Sequence, residues 1–260
     1  RLTIINDDTI KQDLSEWFSE NYHMLEDADG KDHIYKFNNK FIFRILSLAH
    51  AQIAQYINAL GPNLQVNTAC SSTVSAIGTA EDWIRTGRAK RVIVLGTDAL
   101  THDSFIEWIT GGFLALGAAT TEEDYKKAAL PFDKRRNGTI IGMGSVGLII
   151  EAESEVEKRG MKPIAELIAT ELANSGFHIG RLDQNHVQKV MNNLMKTVEK
   201  RTGIKREDII DKMLFMSHET FTPRRGGSAS AEVEALKSTF GDRYNEILIS
   251  NIKGFTGHPI

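Results

Sequence analysis

Hydrophobic positions along the chain change their spacing several times, and each change marks an element. Residues 41–60 are rich in Ile, Leu and Ala at near-helical spacing, and Gly61-Pro62-Asn63 stops them. Residues 64–67 alternate and predict a short strand. Small residues follow at Thr68-Ala69-Cys70-Ser71-Ser72, the composition of a tight turn. Val74, Ile77, Ala80 and Ile84 then mark one face of a helix that ends near Gly87, and residues 91–96 are a β-branched run bounded by charge and Gly. Residues 64–96 therefore predict strand, helix and strand, a parallel βαβ unit.

The second half repeats this grammar. Residues 139–141 and 146–150 predict strands. Val187, Val190, Met191, Leu194 and Val198 stripe a helix of about 14 residues, closed by Gly203-Ile204. Residues 213–216 predict the next strand, 231–240 a helix ended by Gly241, and 246–250 a last strand. Alternating strands and helices place the chain in the α/β class. Residues 1–40 are harder to read. They predict a short helix at about 9–20 and an acidic surface loop carrying Glu26, Asp27, Asp29 and Asp32.

Composition narrows the function. The 260 residues allow one large domain or two small ones, enough to bury a core without staples. A formal charge of 31 − 34 = −3 argues against a nucleic-acid partner, which calls for a basic excess. The single Cys excludes an intramolecular disulfide and a zinc site built on several thiolates. No apolar run approaches the ~18 residues of a membrane span. The start, Arg1-Leu2-Thr3-Ile4, has no secretory pattern, so a cytoplasmic protein, or a piece of one, is expected.

Three places carry candidate chemistry. Cys70 follows a predicted strand and precedes a helix. Helix N-termini favour a thiolate, so the position predicts a lowered pKa and a nucleophile, with the Ser71-Ser72-Thr73 run capping the helix. It reads equally as a buried structural cysteine. His218 follows the strand at 213–216, and Thr220 and Thr222 alternate with it, so their hydroxyls could bind the amides of an elongated ligand. Lys253 and His258 follow the last strand in Lys253-Gly254-Phe255-Thr256-Gly257-His258. One thiol and two imidazoles converging on a cleft suit covalent acyl chemistry, with the imidazoles donating to a carbonyl that gains negative charge.

Together these segments resemble the β-ketoacyl synthases, the condensing enzymes of fatty acid and polyketide assembly. Residues 61–72 are similar to the family's nucleophile motif, His218-Glu219-Thr220-Phe221-Thr222-Pro223 to its His-Gly-Thr-x-Thr-Pro, and residues 253–258 to its Lys-x-x-x-Gly-His. Pro131-Phe132-Asp133 with Arg136, Gly138, Gly142 and Gly144 resembles a further segment of the family. The resemblance runs from about residue 51 to residue 260, leaving residues 1–40 as a poorly matched N-terminal segment before a partial domain at 41–260.

The resemblance implies a thiolase-like, layered αβαβα architecture with mixed sheets, incomplete at both ends. It implies a decarboxylative Claisen condensation in polyketide or fatty acid synthesis. Cys70 would carry the acyl chain, and His218 and His258 would hold the enolate. Lys253 would form a structural ion pair with a glutamate, for which Glu232 is the better match and Glu234 the second. Thr220 and Thr222 would contact phosphopantetheine, delivered on an acyl carrier protein rather than bound as a cofactor. Phe113, in Gly111-Gly112-Phe113, would border the acyl pocket near a dimer interface, and His178 would border the pantetheine tunnel. No metal is implied. A homodimer is expected, with other domains of a multidomain synthase as further neighbours. A chain-length or scaffold subunit, a decarboxylase-only partner and a thiolase-type enzyme using coenzyme A thioesters are the alternatives.

Four departures stand out. Glu219 replaces the usual Gly, which predicts either a raised His218 pKa or a carboxylate that points away. Residues 224–228 lengthen the next loop, and Met143 replaces an acidic residue between two glycines. Family domains are also longer at both ends, and their Gly-Phe-Gly-Gly segment, which supplies an oxyanion-hole N–H, has no counterpart here.

Overall fold

A computed structural model of the protein describes residues 45–178, 181–223 and 227–260, together with residues 9, 12, 13, 16 and 42. Of the helix expected at 9–20, the four described residues are helical, and the Gln12 amide donates to Glu16 (3.0 Å). The expected acidic loop and residues 224–226 lie outside the described residues. The chain divides into two compact units, Arg1–Gln65 and Val66–Ile260.

In the first unit a 3-10 turn, Leu46–Leu48, leads into helix α1, Ala49–Tyr56. This is shorter than the pattern over 41–60 predicts. The helix closes at Asn58 rather than at Gly61-Pro62. Asn58 takes a left-handed φ of 53°, and the Ala59 N–H turns back to the Ala54 carbonyl (2.9 Å). Asn tolerates that conformation, and the bond satisfies a carbonyl the helix would leave open. Residues 64–67 form no strand among the described residues, so the expected parallel βαβ unit of 64–96 is not built.

The second unit runs α2 (Ser72–Arg85), β1 (Arg91–Asp98), α3 (Asp103–Ala115), α4 (Tyr125–Ala128), β2 (Gly144–Glu151) and α5 (Glu153–Lys158). It continues with α6 (Gln184–Thr202), β3 (Leu214–Met216), α7 (Gly227–Phe240), β4 (Leu248–Ser250) and α8 (Lys253–Thr256). Strand β1 pairs antiparallel with β2, Val94 opposite Leu148, and the Arg91–Glu151 cross-strand pair closes one end (2.9 Å). Strands β3 and β4 are parallel, Phe215 opposite Ile249. Among the described residues the parallel strand–helix–strand unit is therefore β3–α7–β4. Residues 139–141 make only isolated bridges, Thr139 to Ala119 and Ile141 to His258.

Helix α6 is longer than its apolar stripe because Asp183 caps it, accepting from the His186 N–H (3.1 Å), and it runs on to Gly203. Its Met191, Met195 and Val198 pack with Leu236 and Phe240 of α7 and with Ile210 and Ile247. Helix α7 begins four residues before the predicted start, and its small residues Ala229, Ala231 and Ala235 are buried. This core anchors β3 and β4, whose C-terminal ends carry the segments around His218 and His258. On the other side, Gly96 lets α2 lie against β1, since a Cβ there would stand 2.3 Å from Thr73 Oγ1.

Candidate active site

Cys70 sits in a turn laced by its own hydroxyls. Ala69 adopts a φ of 51°, and Thr68 and Cys70 form a bridge across it. Ser71 Oγ donates to Thr68 O (2.7 Å) and Ser72 Oγ to Ala69 O (2.6 Å). The hydroxyls thus reach back into the turn. Ser71, at the N-cap of α2, makes no side-chain cap bond, contrary to the expected capping role. They fix the backbone that aims Cys70, which is exposed.

His258 arrives from α8 through Gly257. Its N–H donates to Ile140 O (2.7 Å), and its carbonyl accepts from the Gly142 N–H (3.2 Å). Gly142 is required by this approach, because a Cβ there would fall 2.2 Å from Thr256 O. The result brings His258 Nε2 to 3.2 Å from Cys70 Sγ. His218 stands edge-on to His258, with ring centroids 5.4 Å apart and planes at 81°. Cys70 Sγ and a ring nitrogen of each histidine lie within 4.8 Å of one another. The structure thus brings together the three residues that the sequence left far apart.

The electrostatics correct two expectations. Cys70 is open to solvent on one side, yet packing on the other desolvates its thiol and pushes the pKa up. The Lys253 charge opposes that rise and Asp98 adds to it. The helix N-terminus expected to lower it begins only at Ser72, two residues on, and desolvation wins. His218 reaches solvent on one side, yet packing on the other lowers its pKa to about 4, with Lys253 contributing second. Burial lowers His258 to about 3, helped by Lys253 and then His218. At neutral pH the trio therefore rests as a thiol and two neutral imidazoles.

Glu219 does not raise His218. Its carboxylate is fully buried and turned away, accepting from Phe221 N–H (3.0 Å) and Ser228 Oγ (2.6 Å). Lys253 and Glu232 depart from the expected pairing. No ion pair joins them among the described residues. They hold the two backbone groups of His218 instead. Glu232 Oε1 accepts the His218 N–H (2.8 Å), while Lys253 Nζ donates to the His218 carbonyl (2.5 Å). Burial raises the Glu232 pKa and lowers that of Lys253, and each partner's charge opposes the other's shift. Glu234 pairs with Lys237 at the surface (2.9 Å).

Lys253 Nζ also lies 3.4 Å from His218 Nδ1. An ammonium can only donate, so it selects the tautomer with the proton on Nε2. The Nδ1 of His258 is buried and has no hydrogen-bond partner among the described residues, so nothing pins its tautomer. Its Nε2 can accept from the thiol or donate to a carbonyl. A thiolate and two imidazoles could also ligate a soft metal ion. The ammonium beside them opposes a cation and suits an oxyanion.

The Thr220 and Thr222 hydroxyls lie side by side (3.3 Å) in the half-buried turn after His218. Phe113 is half-buried near the end of α3, and no ring contact among the described residues joins it to the trio. His178 is exposed in the loop ahead of α6. Sequence reasoning missed Ser217, whose hydroxyl donates to Glu232 Oε2 (2.5 Å) and accepts from the Glu219 N–H (2.8 Å). It also missed Asn251, which donates to Glu219 O (2.8 Å) and accepts from the Lys253 N–H (2.9 Å). Their signal was position alone, since each directly follows one of the two parallel strands.

The family model for the N-terminal domain of beta-ketoacyl synthases matches residues 10–156, more than half of the chain. The match includes most of the first forty residues, where no motif is legible. A 3-oxoacyl-[acyl-carrier-protein] synthase 2 of Coxiella burnetii is 29% identical over 248 residues, 94% of this chain and 56% of the relative. One of Staphylococcus aureus is 30% identical over 221 residues, 82% of this chain and 50% of the relative. The chain thus spans about half the length of the curated relatives it matches. Among solved structures, a beta-ketoacyl synthase from Burkholderia phymatum STM815 superposes with a TM-score of 0.73 at 21% identity, over 92% of this chain and 54% of that one. The AntDE:AntF complex, a type II PKS acyl-carrier protein with its ketosynthase bound to the hexaketide, gives 0.72 at 24% identity, over 92% and 56%. These structures share the α/β, thiolase-like fold with this chain. With the motifs around Cys70, His218 and His258 folded into one cluster and the family model covering most of the sequence's first half, this chain belongs to the beta-ketoacyl synthase family.

Proposed function

We propose that the chain carries the condensing centre of a β-ketoacyl synthase, joining a Cys70-bound acyl group to a malonyl-type thioester. The observation that supports this most directly is Cys70 Sγ at 3.2 Å from His258 Nε2, with His218 edge-on beside it. Cys70 attacks as a thiol whose proton passes to His258 and then to the departing phosphopantetheine thiol. The acyl group stays on Cys70 as a thioester. The malonyl-type thioester then loses CO2. The N–H groups of His218 and His258 hold the negative charge on the enolate oxygen, and the Lys253 ammonium stands behind His218. The enolate carbon attacks the acyl carbonyl on Cys70, a carbon–carbon bond forms, and the cysteine sulfur leaves as a thiolate that takes a proton from water.

In this reading Thr220 and Thr222 bind the amides of phosphopantetheine, which arrives on an acyl carrier protein. A related ketosynthase solved with its carrier protein supports that partner. The same reading takes a cytoplasmic homodimer as the working form, with Phe113 and His178 lining the acyl and pantetheine sides and other synthase domains as neighbours. No helix among the described residues is long and apolar enough to cross a membrane.

The test is intact mass after incubation with a short acyl thioester. Wild type gains one acyl group and Cys70→Ala gains none. The loaded protein then releases CO2 from malonyl carrier protein. No adduct on folded wild type would sink the acyl-transfer role and leave a scaffold subunit as the better reading.

A further inference from the structure

Glu219 stands where the resembled motif has Gly, and its surroundings give it work to do. The side chain reaches no solvent and is turned away from His218. It is buried in a knot of its own. Oε1 accepts the Phe221 N–H (3.0 Å) and lies 3.5 Å from Arg136 Nε, and Oε2 accepts from Ser228 Oγ (2.6 Å). Arg136, itself 12% exposed, also donates to Thr222 O (3.3 Å) and to Asp133 O (2.9 Å). Ser228 Oγ in turn accepts the Thr220 N–H (3.1 Å) and lies 3.5 Å from the Thr220 hydroxyl. Every residue from Thr220 to Thr222 is therefore tied to the carboxylate directly or through one intermediary.

The knot holds a conformation the backbone would not choose unaided. Phe221 is fully buried with a φ of 63°, a left-handed geometry that disfavours an aromatic residue. Its N–H is held by Glu219 and its carbonyl by the Gly138 N–H (2.9 Å). That turn sets the Thr220 and Thr222 hydroxyls 3.3 Å apart. A glycine at 219 would lack the carboxylate that grips Phe221, Ser228 and Arg136.

We propose that Glu219 is a positioning residue for the phosphopantetheine arm, fixing the Thr220–Thr222 hydroxyl pair through Phe221, Ser228 and Arg136. It sets affinity for the arm rather than the reactivity of Cys70. The proposal rests on the reading that Cys70 accepts acyl groups and the two threonines bind pantetheine.

The experiment measures Cys70 acylation by mass spectrometry on the full-length protein with two donors. One is an acyl-phosphopantetheine thioester, and the other is the S-ethyl thioester of the same acid, which lacks the amides. Glu219→Ala is expected to raise the half-saturating concentration of the pantetheine donor about 10-fold with its limiting rate little changed, the size of one lost charge-assisted contact. The rate with the S-ethyl donor stays within about 2-fold of wild type, as expected of a change that spares the reacting atoms. Glu219→Gln keeps an acceptor for Phe221 N–H and restores most of the affinity. Should Glu219→Ala not fold, Ser228→Ala removes one link of the knot and is expected to raise the same concentration about 3-fold. Equal losses with both donors, or no change with either, would overturn the positioning role while acylation itself stands. Wild type that takes acyl from neither donor would overturn the reading of Cys70, and this proposal with it.

Discussion

The two depressed imidazoles make stability depend on pH in a window where most carboxylates are still ionised. In the folded chain His218 and His258 titrate near 4 and 3, against 6.5 for an unperturbed imidazole. A base whose pKa falls on folding binds fewer protons folded than unfolded. Its contribution is intact above about pH 6.5 and is lost as the pH falls from there towards the folded values. At about pH 5 the unfolded imidazoles are nearly all protonated and the folded ones nearly all neutral. That pH lies about 1.5 below the unfolded value, so each buried imidazole costs about 1.36 × 1.5, or about 2 kcal/mol. His258 is 4% exposed and takes the full amount. His218 reaches solvent, so about half, ~1 kcal/mol, is retained for it. Together they predict a loss of about 3 kcal/mol between about pH 7.5 and about pH 5. The assay is urea unfolding at both pH values for wild type, His258→Asn and His218→Asn. The slope with pH is the readout, so a lower baseline in a variant does not matter. His258→Asn is expected to recover about 2 kcal/mol of the difference and His218→Asn about 1. Equal pH slopes in wild type and both variants would refute the reasoning, and with it the claim that both imidazoles rest neutral.

Two further outcomes follow from packing. Glu81 is 5% exposed and gathers Arg85 (2.6 Å), Arg201 and Thr170 (2.5 Å), tying α2 to α6 and to the 168–170 segment. Glu81→Ala strands those groups and is expected to cost about 3 kcal/mol, against less than about 1 for Glu234→Ala in its surface pair with Lys237. Denaturant midpoints decide between them, and equal losses would contradict the buried cluster's importance. Gly142→Ala drives a Cβ into the Thr256 carbonyl and is expected to cost about 2 kcal/mol and to slow Cys70 acylation about 10-fold as His258 is displaced. Gly144→Ala, with nothing within 4 Å of the new Cβ, serves as the comparison, and equal acylation rates in the two would exclude the displacement.

The sequence by itself determined the residue types and their order. Cys70, His218, Lys253 and His258 sit in motifs specific enough to name a family, and the long amphipathic stripe of α6 and the β-branched run of β1 mark their elements without a partner in view. Periodicity is a local property, so it survives the loss of context. Pairing is not local. Residues 64–67 alternate like a strand yet find no ladder among the described residues, and residues 139–141 serve as single bridges to Ala119 and His258. Only the tertiary structure decided the electrostatics, because desolvation depends on everything packed around a group. The helix-start rule argued for a depressed Cys70, and burial reversed the sign. The tertiary structure likewise turned Glu219 away from His218 into a knot with Arg136 and Ser228, and set Glu232 on the His218 N–H and Lys253 on the His218 carbonyl instead of on each other. Each of those outcomes depends on what the folded chain packs around a side chain, near or far in sequence. That is a property of the folded surface, not of spacing along it.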